Sequence, residues 1–227
     1  MIPSAFDYVA PESVADALTA LADGGEDAKI LAGGQSLIPV LRLRMAAPGL
    51  LIDLRKIPEL HGVSLDGDQV VIGAMTTHHE VATHPLIAEH LSLLAKTAET
   101  VADPQVRHRG TFGGALAHAD PAGDLGAVAV ALDATFEIAG PDGNRSVPAS
   151  EFFSDYFTTA LAENEILTAI TADGSTVTDL HVWQLGPGHH GAIVAIETST
   201  PRPPSHYRQK LSHLRELSHV TIQVEPA

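Results

Sequence analysis

The chain has 227 residues, of which 44% are hydrophobic, so it can bury the core of one ordinary domain or two small ones. A net charge of −15 argues against nucleic acid or an anionic membrane as the main partner. The chain contains no cysteine, which excludes disulfides, thiolate zinc sites, iron–sulfur ligation and cysteine nucleophiles within it. The N-terminal residues resemble no signal peptide, and no apolar run is long enough to cross a bilayer. We therefore expect a cytoplasmic protein without a membrane span.

The N-terminal elements alternate between helices and short apolar strands. Residues 11–23 carry apolar side chains at helical spacing between a proline and a glycine pair, which predicts a helix. Apolar runs at 28–32 and 50–54 predict buried strands, with a short helix over 37–44 between them. This order predicts a small parallel α/β unit.

A larger set of elements follows this unit. Two apolar runs joined by the turn DGD predict a hairpin over residues 61–74. The remaining predictions are a single helix over 85–101, a helix over 125–132, a strand over 135–139, a short aromatic helix over 151–157 and a strand over 166–171.

The last fifty residues differ from the rest in charge. Residues 178–227 carry four acidic and four basic side chains, so the whole net charge lies in the first 177 residues. This shift predicts a junction at 171–177. Beyond it, the pattern predicts strands over 177–185, 192–198 and 219–224, a turn at GPGHH (186–190) and a helix over 203–214. These elements would form a small α+β sandwich.

The first glycine motif is AGGQS, residues 32–36. Glycines between a strand and a helix let backbone N–H groups approach an anion, and Ser36 can cap the helix or bind a phosphate oxygen. The motif contains neither GxGxxG nor a P-loop lysine, so a Rossmann or P-loop nucleotide site is not predicted. An ordinary strand-to-helix turn remains an alternative.

The second motif is TFGGALAHADPAGD, residues 111–124. Gly113 and Gly114 predict a second concavity of N–H groups, with Thr111 as a hydroxyl donor. Asp124 is placed to accept a hydrogen bond from a ribose hydroxyl, or alternatively to cap the following helix. Two glycine motifs without basic residues suit a diphosphate held by backbone amides, with one phosphate at each motif.

Other polar clusters have simpler explanations. His78, His79 and Glu80 do not place three metal ligands on one face, and the adjacent pair His189-His190 falls in a predicted surface turn. The stretch from Arg107 to Arg109 either offsets diphosphate charge or forms a solvated basic turn. Trp183 fits the core of the tail better than a base-stacking platform. No nucleophile elbow is present, so neither a hydrolase nor a catalytic residue is predicted.

Three segments together resemble a known family: AGGQSLIPVLRLRMAAPGLLIDLRKI, IGAMTTHHEV and DPQVRHRGTFGGALAHADPAGDL. They resemble the FAD-binding medium subunit of molybdenum hydroxylases, as found in carbon monoxide dehydrogenase and in the FAD domain of xanthine dehydrogenase. The resemblance covers residues 1–170. It implies an α+β fold of the vanillyl-alcohol-oxidase type, with a small parallel α/β subdomain over about 1–55 and a larger α/β subdomain over 56–170.

The resemblance also implies a set of FAD-binding residues. The first motif matches the family's first pyrophosphate loop, Thr111 to Ala115 match the second, and Asp124 matches an acid at the nucleotide end. Ala115 stands where the family usually has asparagine or serine. Leu167 and Val101 match apolar residues near the flavin. The implied residues are Ala32, Gly33, Gly34, Gln35, Ser36, Val101, Thr111, Phe112, Gly113, Gly114, Ala115, Asp124 and Leu167.

In the resembling family this subunit performs no substrate chemistry. The resemblance implies electron transfer through FAD in a hetero-oligomer with a molybdenum-cofactor large subunit and an iron–sulfur small subunit, with no metal bound to this chain. The family continues beyond the position of Ile170 with an aromatic residue, a lysine and an arginine pair beside the isoalloxazine, which this sequence does not show.

The segments DLHVWQLGPG, AIVAIET and LSHVTIQVEP, within residues 178–226, instead resemble the cytoplasmic C-terminal domain of cation diffusion facilitator transporters. In that family the domain dimerises and in some members binds zinc. Here Glu225 stands at an acidic ligand position, whereas Gln223 replaces a nearby histidine. An alternative function is therefore a non-enzymatic fusion or remnant whose tail mediates dimerisation or weak divalent metal binding.

Overall fold

A computed structural model describes residues 2–67, 69–174, 176–186, 189–198, 201–211 and 217–226. The helices are α1 Val14–Gly24, α2 Leu37–Arg42, α3 His78–Thr83, α4 Pro85–His90, α5 Ser92–Thr100, α6 Pro104–Arg107, α7 Phe112–His118, α8 Asp124–Ala131, α9 Ala149–Phe152 and α10 Pro204–Lys210. The strands are β1 Asp7–Val9, β2 Ala28–Leu31, β3 Leu50–Asp53, β4 Val63–Asp66, β5 Gln69–Gly73, β6 Thr135–Gly140, β7 Gly143–Pro148, β8 Phe153–Asp155, β9 Thr158–Thr159, β10 Ile166–Asp173, β11 Thr176–Gly186, β12 His189–Thr198 and β13 Leu217–Pro226. Within the described ranges no helix is both long and apolar enough to cross a membrane.

The chain divides into two compact units, Met1–Asp173 and Gly174–Ala227. The first unit begins with a parallel sheet in the order β1-β3-β2, which confirms the predicted small parallel α/β unit. Ser13 caps α1 by accepting a hydrogen bond from the amide of Asp16. Ala17 and Leu21, four residues apart on one face of α1, are buried in a cluster with Ile52. Strand β2 therefore ends against a packed helix, which positions the glycine motif that follows.

A buried carboxylate anchors the edge strand of this sheet. The Asp53 side chain is inaccessible to solvent and accepts hydrogen bonds from the Tyr8 hydroxyl at 2.7 Å and the Arg55 amide at 3.0 Å. The bond to Asp53 raises the pKa of Tyr8. Because buried polar groups are costly unless they are hydrogen-bonded, this set ties β1 to the end of β3.

The rest of the first unit is built on a five-stranded sheet in the order β4-β5-β10-β6-β7. All of its ladders are antiparallel, and its apolar face packs against the helices. Phe136 on β6 and Phe152 on α9 are fully buried with ring centroids 4.2 Å apart, and Phe153 meets both rings edge-on. This aromatic cluster joins the sheet to α9.

Three predicted elements differ in the structure. The single helix predicted over 85–101 is broken at Leu91, where φ is −131°, so α4 and α5 can each turn apolar residues into the core. The aromatic helix predicted over 151–157 is wrong: α9 ends at Phe152, and Phe153 begins a strand. The second glycine motif, predicted as a loop, contains α7.

The second unit has a three-stranded sheet in the order β11-β12-β13. Strands β11 and β12 are antiparallel, whereas β12 and β13 are parallel. Its own small core contains Val194, Ile196 and Tyr207 of α10. The predicted helix over 203–214 is observed from Pro204 to Lys210, and its residues 212–214 lie outside the described residues, as do residues 187–188 of the predicted GPGHH turn.

Trp183 was predicted to be a core residue of this tail, and the structure does not place it there. Trp183 is 38% exposed, and its ring lies over Gly191 on the neighbouring strand, where an added Cβ would come within 2.6 Å of the indole. Because Gly191 has no side chain, the indole can pack on the sheet surface at this position.

Candidate functional site

A cavity of about 530 Å³ lies inside the first unit. The parts of the chain that border it are the stretch from the end of α1 through β2, the segment after β2 into α2, Leu54, the segment after β5 as far as His78, the residues from Gly110 into α7, and the residues from Leu161 to the beginning of β10. Of the predicted FAD-binding residues, those that line it are Ala32–Ser36, Thr111, Gly113–Ala115 and Leu167. Tertiary structure thus brings both glycine motifs and one predicted apolar residue to a single cavity.

The first glycine motif presents unpaired backbone donors. Among the described residues, no group accepts a hydrogen bond from the amides of Gly33, Gly34, Gln35 or Ser36. Gly34 has φ of +74°, a left-handed conformation that glycine adopts without strain, and Ser36 is right-handed. Successive unpaired amides at a turn can form a concave anion-binding nest. We call Gly33–Ser36 the amide nest.

The second glycine pair has a different role from the predicted one. The Gly113 amide donates to the carbonyl oxygen of Ala74 at 2.9 Å, and the Gly114 amide donates to the Thr111 hydroxyl at 3.1 Å. The prediction of a second concavity of free N–H groups is therefore wrong in this structure. The Thr111 hydroxyl keeps its own proton and remains a possible donor, because it acts as acceptor toward Gly114.

Glycines at both motifs permit close backbone packing instead. A Cβ on Gly33 would lie 2.6 Å from Gly110 Cα and 2.9 Å from the Thr111 nitrogen, both of them backbone atoms. A Cβ on Gly113 would lie 2.7 Å from Ala74 Cα. Real Cβ atoms do not approach backbone this closely, so these glycines allow the two motifs to meet at the cavity wall.

The segment after β5 holds the second motif in place. Phe112 donates its amide proton to the Thr76 carbonyl at 2.9 Å, and His78 donates to the Gly110 carbonyl at 3.0 Å. Thr77 and Glu80 form a reciprocal capping box at the start of α3. The Thr77 hydroxyl and the Glu80 carboxylate thus have structural roles.

Three predicted residues do not line the cavity. Phe112 is buried in the main core, and Val101 is half-buried at the end of α5, where its carbonyl accepts a hydrogen bond from Arg107 at 2.8 Å. Asp124 is exposed in the first turn of α8 and makes no side-chain cap. Their predicted contacts with a cofactor remain predictions.

The basic turn before the second motif makes local contacts. Arg107 bonds the carbonyls of Val101 and Ala102, and His108 stacks on His79 with ring centroids 4.0 Å apart. None of the side chains from Arg107 to Arg109 lines the cavity. The geometry therefore favours the solvated basic turn. In the described residues, Lys29 is the one lysine or arginine that lines the cavity.

One side of the cavity was not predicted from the sequence. Leu161, Ala162 and Glu163 border it on a loop between β9 and β10, which carries no glycine motif or charge pattern that points to a ligand. The loop is held by Glu165, which accepts two hydrogen bonds from Arg145, each 2.7 Å long, and one from the Ala162 amide at 2.8 Å. Arg145 also donates to the Ala160 carbonyl at 2.6 Å.

The Arg145–Glu165 pair is expected to make the cavity loop sensitive to acid. The bonds to Arg145 hold the pKa of Glu165 below its ordinary value near 4.5. A carboxylate with a lowered pKa stabilises the fold above its ordinary pKa, and this contribution is lost as the pH falls through the folded-state value. Replacing Arg145 with alanine should lower the free energy of unfolding at pH 7 by on the order of 1 kcal/mol. The difference should shrink as the pH falls below the ordinary pKa of 4.5.

Urea unfolding of both proteins across this pH range measures the effect. Lys56→Ala is the matched control, since its ammonium lies 3.9 Å from the exposed Glu12 carboxylate and should contribute little. A constant difference between wild type and Arg145→Ala at all pH values would show that the carboxylate is not responsible.

The small parallel sheet, the antiparallel sheet and the glycine-lined cavity bordered by both define an FAD-binding domain of α+β type. A family model described as "FAD binding domain in molybdopterin dehydrogenase" matches residues 4–172, nearly the whole of the first unit. The chain therefore belongs to this family.

Curated relatives and a solved structure agree with this assignment. The chain is 48% identical over 170 residues to the carbon monoxide dehydrogenase medium chain of Hydrogenophaga pseudoflava, covering 75% of this chain and 59% of that protein. It is 42% identical over 170 residues to the 6-hydroxypseudooxynicotine dehydrogenase complex subunit alpha of Paenarthrobacter nicotinovorans, covering 75% and 57%. A structure of the Hydrogenophaga pseudoflava carbon monoxide dehydrogenase superposes with a TM-score of 0.76 at 44% identity, covering 82% of this chain and 66% of that one. This chain thus spans about three fifths of the length of the curated relatives it matches.

Proposed function

We propose that the first unit binds FAD non-covalently in the cavity, with the diphosphate on the amide nest. The observation that carries this proposal is the set of unpaired amides over Gly33–Ser36 at the wall of a cavity also lined by Thr111 and Leu167. Backbone amides can bind phosphate without a positively charged side chain. This suits a cavity that, among the described residues, is lined by one lysine and no arginine.

In this proposal the chain is the FAD-binding electron-transfer subunit of a molybdenum hydroxylase complex. FAD would supply redox chemistry, while the protein supplies position and electrostatics. The amide nest and the Thr111 hydroxyl would hold the phosphates, and the apolar Leu167 side would limit water near the ring. The partners would be a molybdenum-cofactor large subunit and an iron–sulfur small subunit, as the medium-chain names of relatives suggest.

The names of the relatives refer to different substrates. We therefore propose that the partner subunit, and not this chain, selects the substrate. A cytoplasmic location is part of the same proposal and agrees with the absence of cysteine.

The purified full chain should be yellow, with flavin absorbance near ~450 nm and FAD released on denaturation. Adding FAD to the apoprotein at about 100 times its Kd should stabilise the folded state by about 2.7 kcal/mol, which corresponds to a rise in Tm of roughly 5–10 °C. FMN, which lacks the diphosphate and adenosine, is the control and should stabilise much less. A colourless protein whose Tm does not respond to FAD would overturn the proposal.

For residues 178–227 we propose an independent α+β tail joined at 171–177. The separate three-stranded sheet and its own core cluster support this division. The same FAD titration on a chain ending at Asp173 tests it, with light scattering before and after the deletion. Unchanged FAD affinity supports an independent tail, and an unchanged oligomeric state would exclude a role of the tail in dimerisation.

A further inference from the structure

One buried side chain in the cavity wall has no role in the structure described so far. His78 opens α3, lines the cavity and is 4% exposed. Its Nδ1 is buried and has no hydrogen-bond partner among the described residues. A buried polar atom without a hydrogen-bond partner is unfavourable, so a histidine at this position calls for a reason beyond packing.

The protonation of His78 follows from its surroundings. Burial lowers the pKa of His78 to about 4, so the ring is neutral near pH 7 and carries one N–H. A buried orphan N–H is rarer in proteins than an under-satisfied acceptor, which assigns the lone pair to Nδ1 and the proton to Nε2. Nε2 is not among the buried unpartnered atoms and bonds no described protein group, so it is the ring nitrogen with access to the cavity.

Nε2 lies next to Gly110, a residue on which the first glycine motif also packs. A Cβ on Gly110 would be 2.9 Å from His78 Cδ2 and 3.1 Å from Nε2, so this ring edge packs on Gly110. Gly33 packs on Gly110 too, because a Cβ on Gly33 would lie 2.6 Å from Gly110 Cα. Gly110 therefore contacts both the His78 ring and the start of the amide nest. This shared neighbour makes the Nε2–H group a candidate donor to a ligand that the nest also holds.

We propose that His78 is a cofactor-positioning residue that donates a hydrogen bond from Nε2 to a diphosphate oxygen of FAD. The inference rests on the proposed FAD site and adds a side-chain donor to its backbone donors. A neutral donor would bind a phosphate oxygen as the backbone amides of the nest do, by a hydrogen bond and without an ion pair. The charged side chains that also line this cavity are Lys29, Glu26, Glu163 and Glu165, the last of them paired with Arg145. The hydrogen bond from Nε2 would orient the diphosphate without adding a titrating positive charge near pH 7.

Three variants of the full chain test the proposal. His78→Leu removes the donor and fills the buried position with an apolar side chain. His78→Gln places an amide N–H near the position of Nε2. His79→Leu is the matched control, because His79 is exposed on the same helix and does not line the cavity. Dissociation constants of the apoproteins for FAD, ADP and riboflavin are measured by calorimetry or flavin fluorescence.

His78→Leu should weaken FAD and ADP binding by about 10- to 100-fold, since a hydrogen bond to a charged group is lost. Riboflavin, which has no phosphate, should bind as to wild type. His78→Gln should recover most of the affinity, and His79→Leu should match wild type. The Tm of apo His78→Leu should equal or exceed that of wild type, because the unpartnered Nδ1 is gone.

Acid provides a second readout that needs no cofactor. A histidine with a lowered pKa stabilises the fold above its ordinary pKa of 6.5, and this stability is lost as the pH falls towards about 4. The stability of apo wild type should therefore decline more steeply over this range than that of His78→Leu.

The outcomes separate this inference from the proposed function. If wild type binds no FAD, the proposed function fails. If wild type binds FAD and His78→Leu binds it equally well, only the role of His78 is wrong. Equal losses for riboflavin and ADP, or a lowered apo Tm without rescue by glutamine, would indicate a packing role and overturn the inference.

Discussion

Replacing Gly33 with alanine is expected to abolish FAD binding at micromolar concentrations and to lower the stability of the first unit. The new Cβ would lie 2.6 Å from Gly110 Cα and would also meet the carbonyl of Arg109. Backbone atoms cannot move aside as the end of a flexible side chain can. The two glycine motifs would therefore be pushed apart. Overpacking of this kind costs about 1–3 kcal/mol or more, which corresponds to a Tm decrease of roughly 2–12 °C.

Differential scanning calorimetry and FAD titration of the Gly33→Ala protein measure both effects. The control is Gly49→Ala, where the nearest atom to an added Cβ is Asp27 Cβ at 3.5 Å, an ordinary contact. Gly49 lies in the same unit but does not line the cavity. A Gly33→Ala protein with wild-type Tm and FAD affinity would show that the two motifs do not need this close approach.

Replacing Phe136 with alanine should cause the largest loss of stability without a specific loss of FAD affinity. Phe136 is inaccessible to solvent at the centre of the aromatic cluster, and its removal leaves a cavity between β6 and α9. Such truncations cost about 3–5 kcal/mol, which lowers Tm by roughly 6–20 °C in a domain of this size. The residue does not line the cavity proposed to bind FAD, so the folded fraction should still bind FAD at low temperature.

Phe6→Ala is the matched control for this truncation, since Phe6 is 38% exposed and leaves no closed cavity behind. Thermal unfolding and FAD titration at low temperature are compared in all three proteins. A Tm change in Phe136→Ala no greater than that in Phe6→Ala would contradict the importance of the aromatic cluster. A selective loss of FAD affinity in the folded protein would instead connect the cluster to the site.

Local patterns predicted the elements whose neighbours lie close in the chain. The strand at 28–32 and the helix before it were predicted because apolar periodicity, a proline at the helix start and a glycine pair at its end are all short-range signals. The break at Leu91 was missed because no glycine or proline marks it. It arises from the packing of α4 and α5 on a common core, which one helix could not achieve in the same way.

The sequence by itself determined the family. Three segments that include both glycine motifs resemble the FAD-binding family, which the comparisons confirm. Neither motif contains a lysine or arginine, which predicts a diphosphate held by backbone amides. The tertiary structure decided which of these amides are open. Gly113 donates to Ala74, a residue far away in the chain, so its amide is already used, whereas the amides of Gly33 to Ser36 have no such partner in the part of the chain that the structure describes. The same long-range packing buries His78 against Gly110, because antiparallel pairing of Thr77 with Thr111 brings the segment after β5 against the second motif. Hydrogen-bond partners distant in sequence leave no local signal, and for this reason only the fold could separate the donors that remain free from those already used.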